Sequence, residues 1–518
     1  MTHEPQVAVI GASLGGVLAA WRAAQAGRSV LLVAEHAWIG GQMSAQAVPP
    51  DEHPLIEHGG ASASYLRFRD DIRAHHRAQP GFVDRSRMTP GLTNPGDGWV
   101  SRLCFEPVLA ARWFERLLRH PGRGTLKLLR LAVPIAAERS GPRIERVLLR
   151  GHDGRIHSVR AQVFIDATDT GELLRLAQLP YRVGKEARAA FDEPDAPAAA
   201  DPLDQQPVTH VMALRRHATA GPLAAAPPAY ARWRAHHLPQ HGHPLFSHHL
   251  PGRGRGESTS LPFEVSEGSP DGDALDWWRY RRIVSGAQWL PPRADVTLVN
   301  WSQNDLALHP LLDGPRSSAD VSADARELSL CFLHWLHAEA GLTHWQPAPD
   351  VLGTPDGLAQ QSYVRESRRI VAQATLTQRD VQRAVEPDAV RADAVGVGWY
   401  NLDIHPTCVS GHGVNAAVEP FVLPLGTFVP LDADNLLPGC KNIGVTHLAN
   451  ACTRVHPVEW LIGEVAGLMA AMLVERGRSV RALPGDASAT SELQTRLRGA
   501  GIPLAWSAGL LARRPAAH

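Results

Sequence analysis

The chain has 518 residues, of which 44% are hydrophobic and 20% are charged, as in an ordinary globular protein. Lysine plus arginine equals aspartate plus glutamate, at 52 each, so no net charge favours binding to nucleic acid or to an anionic membrane. A single hydrophobic core does not extend over a chain of this length, so we expect two domains or one interrupted domain.

The N-terminus and the cysteines bear on the location of the protein. The first predicted strand begins at Val7, which leaves no room for a signal peptide, and no apolar run approaches the roughly 20 residues of a membrane span. The five cysteines are scattered and form no C-x-x-C pair. They predict reduced thiols in a cytoplasmic protein, not a disulfide framework or a zinc site.

The stretch 7–35 predicts a βαβ unit that binds a dinucleotide. A buried strand runs into the glycine-rich turn 11–16, an alanine-rich helix follows, and a second buried strand ends at Glu35. The first glycine permits the tight turn, the last lets the helix pack closely on the strand, and free N–H groups at the helix start face the pyrophosphate. Ser13 stands where the second glycine is usual, but it is small enough not to block the ligand. The residues predicted to hold the dinucleotide are Gly11, Ser13, Gly15, Gly16 and Glu35.

A double glycine, Gly40-Gly41, follows this unit at a short distance. Together with the turn before it, the double glycine resembles the FAD-binding start of the glutathione-reductase structural class of flavoproteins. In that class these residues hold the ADP half of FAD, and the double glycine runs past the diphosphate towards the flavin. The resemblance implies FAD as the cofactor and adds Gly40, Gly41, Gln42 and Ser44 to the predicted cofactor-binding residues.

Later segments match the same class. Residues 163–173 predict a buried strand ending in a small, polar turn, which resembles the element that these flavoproteins place near the FAD diphosphate, although Asp169 replaces the more usual glycine. In that class, the backbone of one strand approaches the adenine, and the N-terminus of the last long helix points at the flavin pyrimidine. The resemblance implies the same arrangement here. The cofactor-binding residues implied by these segments are Val133, Ala167, Thr168, Asp169, Glu459, Trp460 and Leu461.

These segments predict an α/β fold: a Rossmann-type FAD-binding domain assembled from discontinuous pieces, with an inserted α+β substrate or cap domain. The FAD-binding pieces cover residues 1–60, 100–185 and 395–478. The insertion covers residues 186–394, and a C-terminal tail runs from 479 to 518. We expect the isoalloxazine where the two domains meet, since ligand pockets form at such junctions.

Six histidines lie between residues 236 and 249, within a segment rich in proline and alanine. A metal site would need three or four of them to converge on one point, and no helical H-x-x-x-H pair with a supporting acid is present. We therefore predict no metal and interpret this histidine-rich loop as a solvated excursion.

The strings N-W-x-Q-N-D at 300–305 and Y-V-R-E-S-R-R at 363–369 resemble one branch of the class, a broad group of bacterial FAD-dependent oxidoreductases of largely unassigned substrate. No second G-x-G-x-x-G unit follows a strand, so we expect no NAD(P)H domain. The function predicted is that of a dehydrogenase or oxidase that takes a hydride from a small organic molecule, with oxygen or a redox partner as electron acceptor. Two alternatives are a non-catalytic dinucleotide-binding sensor or scaffold, and a tRNA-modifying flavoprotein, which the neutral charge disfavours.

Hydride removal from a C–H bond needs a proton acceptor beside the flavin and groups that fix the substrate. His456, just before the last long helix, is the first candidate for the base, since its reference pKa of about 6.5 suits the task. His405 is the reserve candidate. Arg365 and Arg368 are candidates for holding an anionic or polar substrate, with a structural salt bridge as the alternative role of either.

Overall fold

The computed structural model describes residues 1–237, 242–250, 259–265 and 275–515. The strands are β1 (Thr2–His3), β2 (Val7–Ile10), β3 (Ser29–Ala34), β4 (Thr125–Arg130), β5 (Ala132–Ser140), β6 (Arg143–Gly151), β7 (Ile156–Val159), β8 (Val163–Asp166), β9 (Tyr181–Arg182), β10 (Val208–Thr209), β11 (Met212–Arg216), β12 (His249–Leu250), β13 (Thr259–Ser260), β14 (Arg282–Val284), β15 (Val296–Val299), β16 (Asp305–Leu306), β17 (Trp345–Pro347), β18 (Arg369–Ile370), β19 (Ala394–Gly398), β20 (Leu402–Ile404), β21 (Val414–Ala416), β22 (Phe421–Pro424) and β23 (Leu436–Pro438). The helices are α1 (Leu14–Gln25), α2 (Ala63–Arg77), α3 (Pro107–Leu118), α4 (Glu172–Leu176), α5 (Arg188–Phe191), α6 (Tyr230–Arg234), α7 (Trp277–Tyr280), α8 (Ser318–Ala338), α9 (Pro349–Leu352), α10 (Gln378–Val381), α11 (His447–Thr453), α12 (His456–Arg476), α13 (Ala487–Gly499) and α14 (Ala508–Leu511).

A five-stranded parallel sheet carries the predicted dinucleotide-binding unit. Its strand order is β23-β8-β2-β3-β4, and every neighbouring pair is parallel. The three central strands are almost wholly buried and apolar, as expected for a parallel sheet covered on both faces. The turns that follow β2, β3, β8 and β23 therefore meet at one edge, where ligands of such sheets bind.

Helices α1 and α12 pack together at backbone distance on this sheet. A Cβ atom added at Gly463 would lie 2.1 Å from the carbonyl oxygen of Gly15, and one added at Gly467 would lie 2.3 Å from that of Ala19. The small residues of α12 thus allow its close contact with α1. Among the described helices, α12 has the length and composition of a membrane span, but 94% of its apolar window is buried inside the protein, as in a core helix.

A second, antiparallel sheet has the order β14-β15-β11-β17 and is drawn wholly from residues 212–347. Apolar residues of α8 pack against it in a separate hydrophobic core that is rich in tryptophan. A third sheet, β1-β7-β6-β5, holds the strand predicted to approach the adenine.

The segments around the closing strand are irregular. Residues 425–428 form the short 3-10 helix Leu425–Phe428, and 443–445 forms no strand. The strand that closes the parallel sheet is Leu436–Pro438. Residues 363–368 belong to no helix: Tyr363 bridges to Thr209 of β10, and the segment then leads into β18.

Candidate functional site

A cleft opens at the carboxyl edge of the parallel sheet. It is lined by residues from the turns after β2, β3 and β8, by Gly41, and by Ala132 and Pro134 on either side of Val133. Glu35 stands at the tip of β3 with 57% of its side chain exposed. Gly11, Ser13 and Glu35 of the predicted βαβ unit therefore line one cleft together with the neighbours of Val133, whereas Gly15 and Gly16 lie outside that lining.

Two glycines of the turn make the close approach of backbone segments possible. Gly11 has φ +104°, and a Cβ atom there would lie 2.2 Å from the carbonyl oxygen of Ala167. A Cβ atom at Gly15 would lie 2.0 Å from the carbonyl oxygen of Gly439. Since those oxygens belong to backbone, no side-chain movement relieves the collision. The turn is thus held against the ends of β8 and β23 as well as against the cleft.

Asp166 organises the second predicted turn. Its Oδ1 accepts hydrogen bonds from the backbone N–H of Thr168 at 3.1 Å and from the Thr168 hydroxyl at 2.7 Å. Its Oδ2 accepts one from the N–H of Leu173 at 3.1 Å. Burial raises the pKa of Asp166 to about 6, although these hydrogen bonds act against the rise. The carboxylate fixes the path of residues 167–169 along the cleft wall.

A buried charge cluster, formed by Lys441, Asp169 and Glu459, joins three chain segments beside the cleft. The Nζ of Lys441 lies 2.5 Å from Asp169 Oδ1 and 3.3 Å from Glu459 Oε2. Glu459 also accepts hydrogen bonds from Gln42 Nε2, at 2.8 Å, and from the N–H of Gly15, at 3.4 Å. The neighbouring carboxylates raise the pKa of Lys441 against the effect of its burial. The sequence analysis missed Lys441, whose only signal was its position just after the closing strand.

The remaining predicted cofactor residues are spread around the cleft and the core. The Ser44 hydroxyl donates to the carbonyl of Ile39 at 2.7 Å, so it closes its own loop. Trp460 is fully buried among Tyr65, Phe68, Trp113 and Phe114, and its indole donates to Ser64 at 2.7 Å. The side chain of Leu461 packs towards Gly396. Neither Trp460 nor Leu461 lines the cleft, so their side chains serve the core where the sequence analysis expected cofactor contact.

Buried polar atoms without a partner test whether a cofactor fits here. Within the described residues, Gln42 Oε1, Gln46 Oε1, Asn450 Oδ1 and His456 Nε2 make no hydrogen bond. Buried polar groups are nearly always paired, so several unpaired ones in adjoining elements indicate a polar ligand. The cleft itself, lined by Gly11, Ser13 and Glu35, fits a dinucleotide, and the residues that carry these four atoms lie outside its lining.

His456 is the first residue of α12 and is completely buried. Its Nδ1 accepts a hydrogen bond from the backbone N–H of Asp51 at 3.0 Å. Burial lowers the pKa of His456 to about 4, although Asp51 acts against this change. The ring is therefore neutral at pH 7 and carries its proton on Nε2. This arrangement makes His456 a hydrogen-bond donor and departs from the base role predicted from the sequence.

His405 follows β20 and forms a close pair with Asp305. The His405 Nδ1 lies 2.6 Å from Asp305 Oδ2, and its Nε2 lies 3.8 Å from a carboxylate oxygen of Asp403. Arg365 donates to the other oxygen of Asp305 at 3.0 Å and to Thr209 at 2.9 Å. The guanidinium of Arg365 and the hydrogen-bonded imidazole of His405 lower the pKa of Asp305 well below its usual range, against the effect of burial.

Arg368 has a structural role. It donates to Asp313 at 2.8 Å, to Glu172 at 3.0 Å and to the carbonyl of Thr170 at 3.0 Å. These contacts occupy the guanidinium and tie residue 368 to the turn after β8. These ion pairs correspond to the structural salt bridge that was the alternative role of Arg368.

The cysteines and histidines form no further centre in the described part of the chain. All five cysteines are free thiols, and burial raises the pKa of Cys104 to about 12. No group of three or more histidine, cysteine or acidic residues among the described ones is arranged to hold a metal ion. His241 of the histidine-rich loop lies outside the described residues.

The parallel sheet, the glycine turn and the carboxylate at the strand tip define a dinucleotide-binding protein. The sequence pattern of the family FAD dependent oxidoreductase matches residues 6–497, so the chain belongs to that family and its cofactor is FAD. No curated protein sequence matches the chain.

Among solved structures, a geranylgeranyl bacteriochlorophyll reductase-like protein from Thermoplasma acidophilum is 11% identical over 96% of this chain and 84% of its own, with a TM-score of 0.37. The myxobacterial chondrochloren halogenase is 12% identical over 96% and 79%, with a TM-score of 0.33. L-proline dehydrogenase from P. horikoshii is 14% identical, but only 32% of this chain and 23% of that chain match, with a TM-score of 0.19. Likenesses this low carry no argument about substrate or reaction.

Proposed function

We propose that this protein is an FAD-dependent dehydrogenase or oxidase that removes a hydride from a C–H bond of a small organic substrate. The observation that carries the proposal is the His405–Asp305 pair, whose carboxylate is also held by Arg365. Bound FAD supplies the two-electron redox chemistry. The chain supplies a base, donors that orient the substrate, and a buried polar surrounding.

His405 acts as the base in this proposal. Asp305 accepts the Nδ1 proton of His405, fixes the tautomer, and stabilises the imidazolium that forms when Nε2 takes a proton from a substrate hydroxyl or amine. Arg365 holds Asp305 in place and keeps it ionised. In this arrangement a buried carboxylate orients the histidine. The pairing with Asp305 therefore favours His405 as the base over His456, whose buried ring is weakly basic.

His456 positions a ligand by donation from Nε2. Its Nδ1 lone pair is already used by the N–H of Asp51, so the neutral ring presents only an N–H. Arg454 lies at the same end of α12 and donates to the Tyr363 hydroxyl at 2.6 Å and to the carbonyl of Asp403 at 2.9 Å. These groups link the start of α12 to the segment that holds His405.

The site draws on two parts of the chain, in agreement with a cap inserted into the FAD-binding domain. Asp305 and Arg365 belong to the proposed insertion, 186–394, whereas His405 and His456 belong to the proposed FAD-binding piece, 395–478. The separate tryptophan-rich core, drawn from residues 208–364, supports the division. Placement in the glutathione-reductase structural class is part of the same proposal and rests on the double glycine Gly40-Gly41, of which Gly41 lines the cleft.

The test is whether substrates bleach the protein. The purified yellow holoenzyme, free of oxygen, is screened against alcohols, hydroxy acids, amines and sugars while the flavin absorbance is recorded. Bleaching by one class, followed by recovery of the colour with oxygen or an added redox partner, would support the proposal. A protein that binds FAD but is bleached by none of these classes, and only by a reduced nicotinamide, would contradict it.

A further inference from the structure

Arg281, just before β14, is a buried cation without a carboxylate partner. Only 7% of the residue is exposed. Its Nε donates to the carbonyl of Asn300 at 3.0 Å, while its Nη1 makes no hydrogen bond. Within the described chain no acidic side chain forms an ion pair with it. Burying an uncompensated guanidinium is costly, so an anion is expected to join it when the site is in use.

The neighbouring buried arginines show the contrast. Arg282 lies 3.2 Å from Asp97 and 3.3 Å from Asp295. Arg365 lies 3.0 Å from Asp305, and Arg454 lies 3.5 Å from Asp403. Each of these cations is compensated within the protein. Arg281 alone among these four is left without an acid at ion-pair distance in the described structure.

Arg281 also interacts electrostatically with residues of the proposed substrate site. Burial lowers its pKa, but Tyr280, Asp51 and Tyr363 together raise it, so the guanidinium stays charged. Arg281 in turn helps to lower the pKa of His456 and that of Arg365. The guanidinium therefore lies within electrostatic range of residues from the segments that carry His456 and Arg365.

Asn300 adds a second unsatisfied group beside Arg281. The residue is 3% exposed, and neither its Oδ1 nor its Nδ2 has a partner in the described structure. A buried amide with both atoms unpaired is rare, because each loses its hydrogen bonds to water. A guanidinium and an adjacent amide can together bind and orient one anionic group.

We propose that Arg281 is the anion anchor of the substrate site, that Asn300 orients the same group, and that the substrate is a small carboxylate. The proposal rests on the proposed function and names its substrate class. The guanidinium binds the carboxylate through Nη1, as the planar fork of an arginine commonly does, and so holds the reacting carbon at a fixed distance from the anchor. Arg365, already paired with Asp305, is not the anchor that the sequence suggested.

The experiment measures anion binding to the FAD-loaded enzyme at constant ionic strength. Benzoate and acetate are titrated against the flavin absorbance spectrum and the thermal unfolding midpoint, with benzamide and acetamide as neutral matches. We expect both carboxylates, and neither amide, to bind. Arg281→Gln should weaken carboxylate binding by about 10- to 100-fold, and Arg281→Lys by less, with FAD content unchanged. Arg293→Gln removes an exposed arginine of the segment between β14 and β15 and should leave binding unchanged.

The outcomes separate this inference from the proposed function. Equal binding of amides and carboxylates, or carboxylate binding that is unchanged in Arg281→Gln, would overturn the anchor. Loss of FAD from both Arg281 variants, with no effect of carboxylates on the wild type, would assign Arg281 to the cofactor and overturn it too. If Arg281→Gln does not fold, two measurements still test the anchor. They are the comparison of carboxylates with amides on the wild type and the carboxylate affinity of Arg281→Lys. Bleaching by a neutral substrate would support the proposed oxidoreductase function but contradict a carboxylate as the substrate class.

Discussion

The Nδ1 atom of His405 lies 2.6 Å from Oδ2 of Asp305, although the two residues are 100 positions apart in the chain. This contact joins the segment after β20 to the start of β16. It also orients the imidazole as a base is oriented in many hydrolytic and redox sites.

Replacement of His405 tests this pair. His405→Ala should retain FAD but slow anaerobic flavin reduction by roughly 10²–10⁴-fold, the usual contribution of a positioned base. Asp305→Asn should slow the same step and shift the lower limb of its pH profile, because the imidazolium loses its stabilising charge. His412→Ala, at an exposed histidine, is the matched control. Normal reduction rates in His405→Ala, with slow rates in His456→Ala, would return the base role to His456.

Replacement of Glu35 tests the cofactor cleft. Glu35→Ala should weaken FAD binding by roughly 10- to 100-fold, because it removes a charged acceptor for the ribose hydroxyls. Titration of the apoprotein with FAD, followed by flavin fluorescence, gives the dissociation constant directly. Glu145→Ala, at another exposed acid, should bind FAD normally. Full flavin occupancy with unchanged affinity in Glu35→Ala would show that the cleft holds a different part of the ligand.

Replacement of Gly15 tests the closeness of the backbone segments around the turn. Gly15→Ala puts a Cβ atom 2.0 Å from the carbonyl oxygen of Gly439, so we expect a loss of about 1–3 kcal/mol or more in the free energy of unfolding, together with loss of FAD. Gly499→Ala, where no atom lies within 4 Å of the added Cβ, is the control and should be neutral or slightly stabilising. Thermal unfolding and flavin content measure both. Equal stability of the two variants would contradict the packing.

Buried neutral histidines predict acid sensitivity. Burial lowers the pKa of His53, His210 and His456 to about 4, below the value of about 6.5 in the unfolded chain. Between pH 4 and 6.5 the unfolded state therefore binds more protons, so the free energy of unfolding should rise with pH in this window, by up to about 3 kcal/mol for each histidine. Urea unfolding at several pH values, with FAD in excess, measures the slope.

Two variants test how much of this pH dependence of the free energy of unfolding comes from His210. His210→Gln should reduce the pH dependence by about one proton, since His210 is buried and bonded to Ser362 and to the carbonyl of Ala359. His120→Gln, at an exposed histidine, should leave the slope unchanged. A flat stability profile between pH 4 and 6.5 in the wild type would contradict the burial of these rings.

The sequence determined the dinucleotide-binding unit. The strand 7–10, the glycine turn, α1 and Glu35 could be predicted because each depends on local patterns: buried β-branched runs, glycine at tight turns, and alanine-rich helical spacing. The strand Val163–Asp166 and the family could be predicted for the same reason. These features need no knowledge of which distant segments become neighbours.

Only the tertiary structure decided the chemistry around the cofactor. The contacts of Lys441 with Asp169, and of His405 with Asp305, join residues 272 and 100 positions apart, and no local pattern carries that information. Burial likewise decided that His456 is a neutral donor and that Arg281 lacks an acid. A side chain's pKa and charge balance depend on desolvation and on neighbours from other segments, and packing alone brings those together.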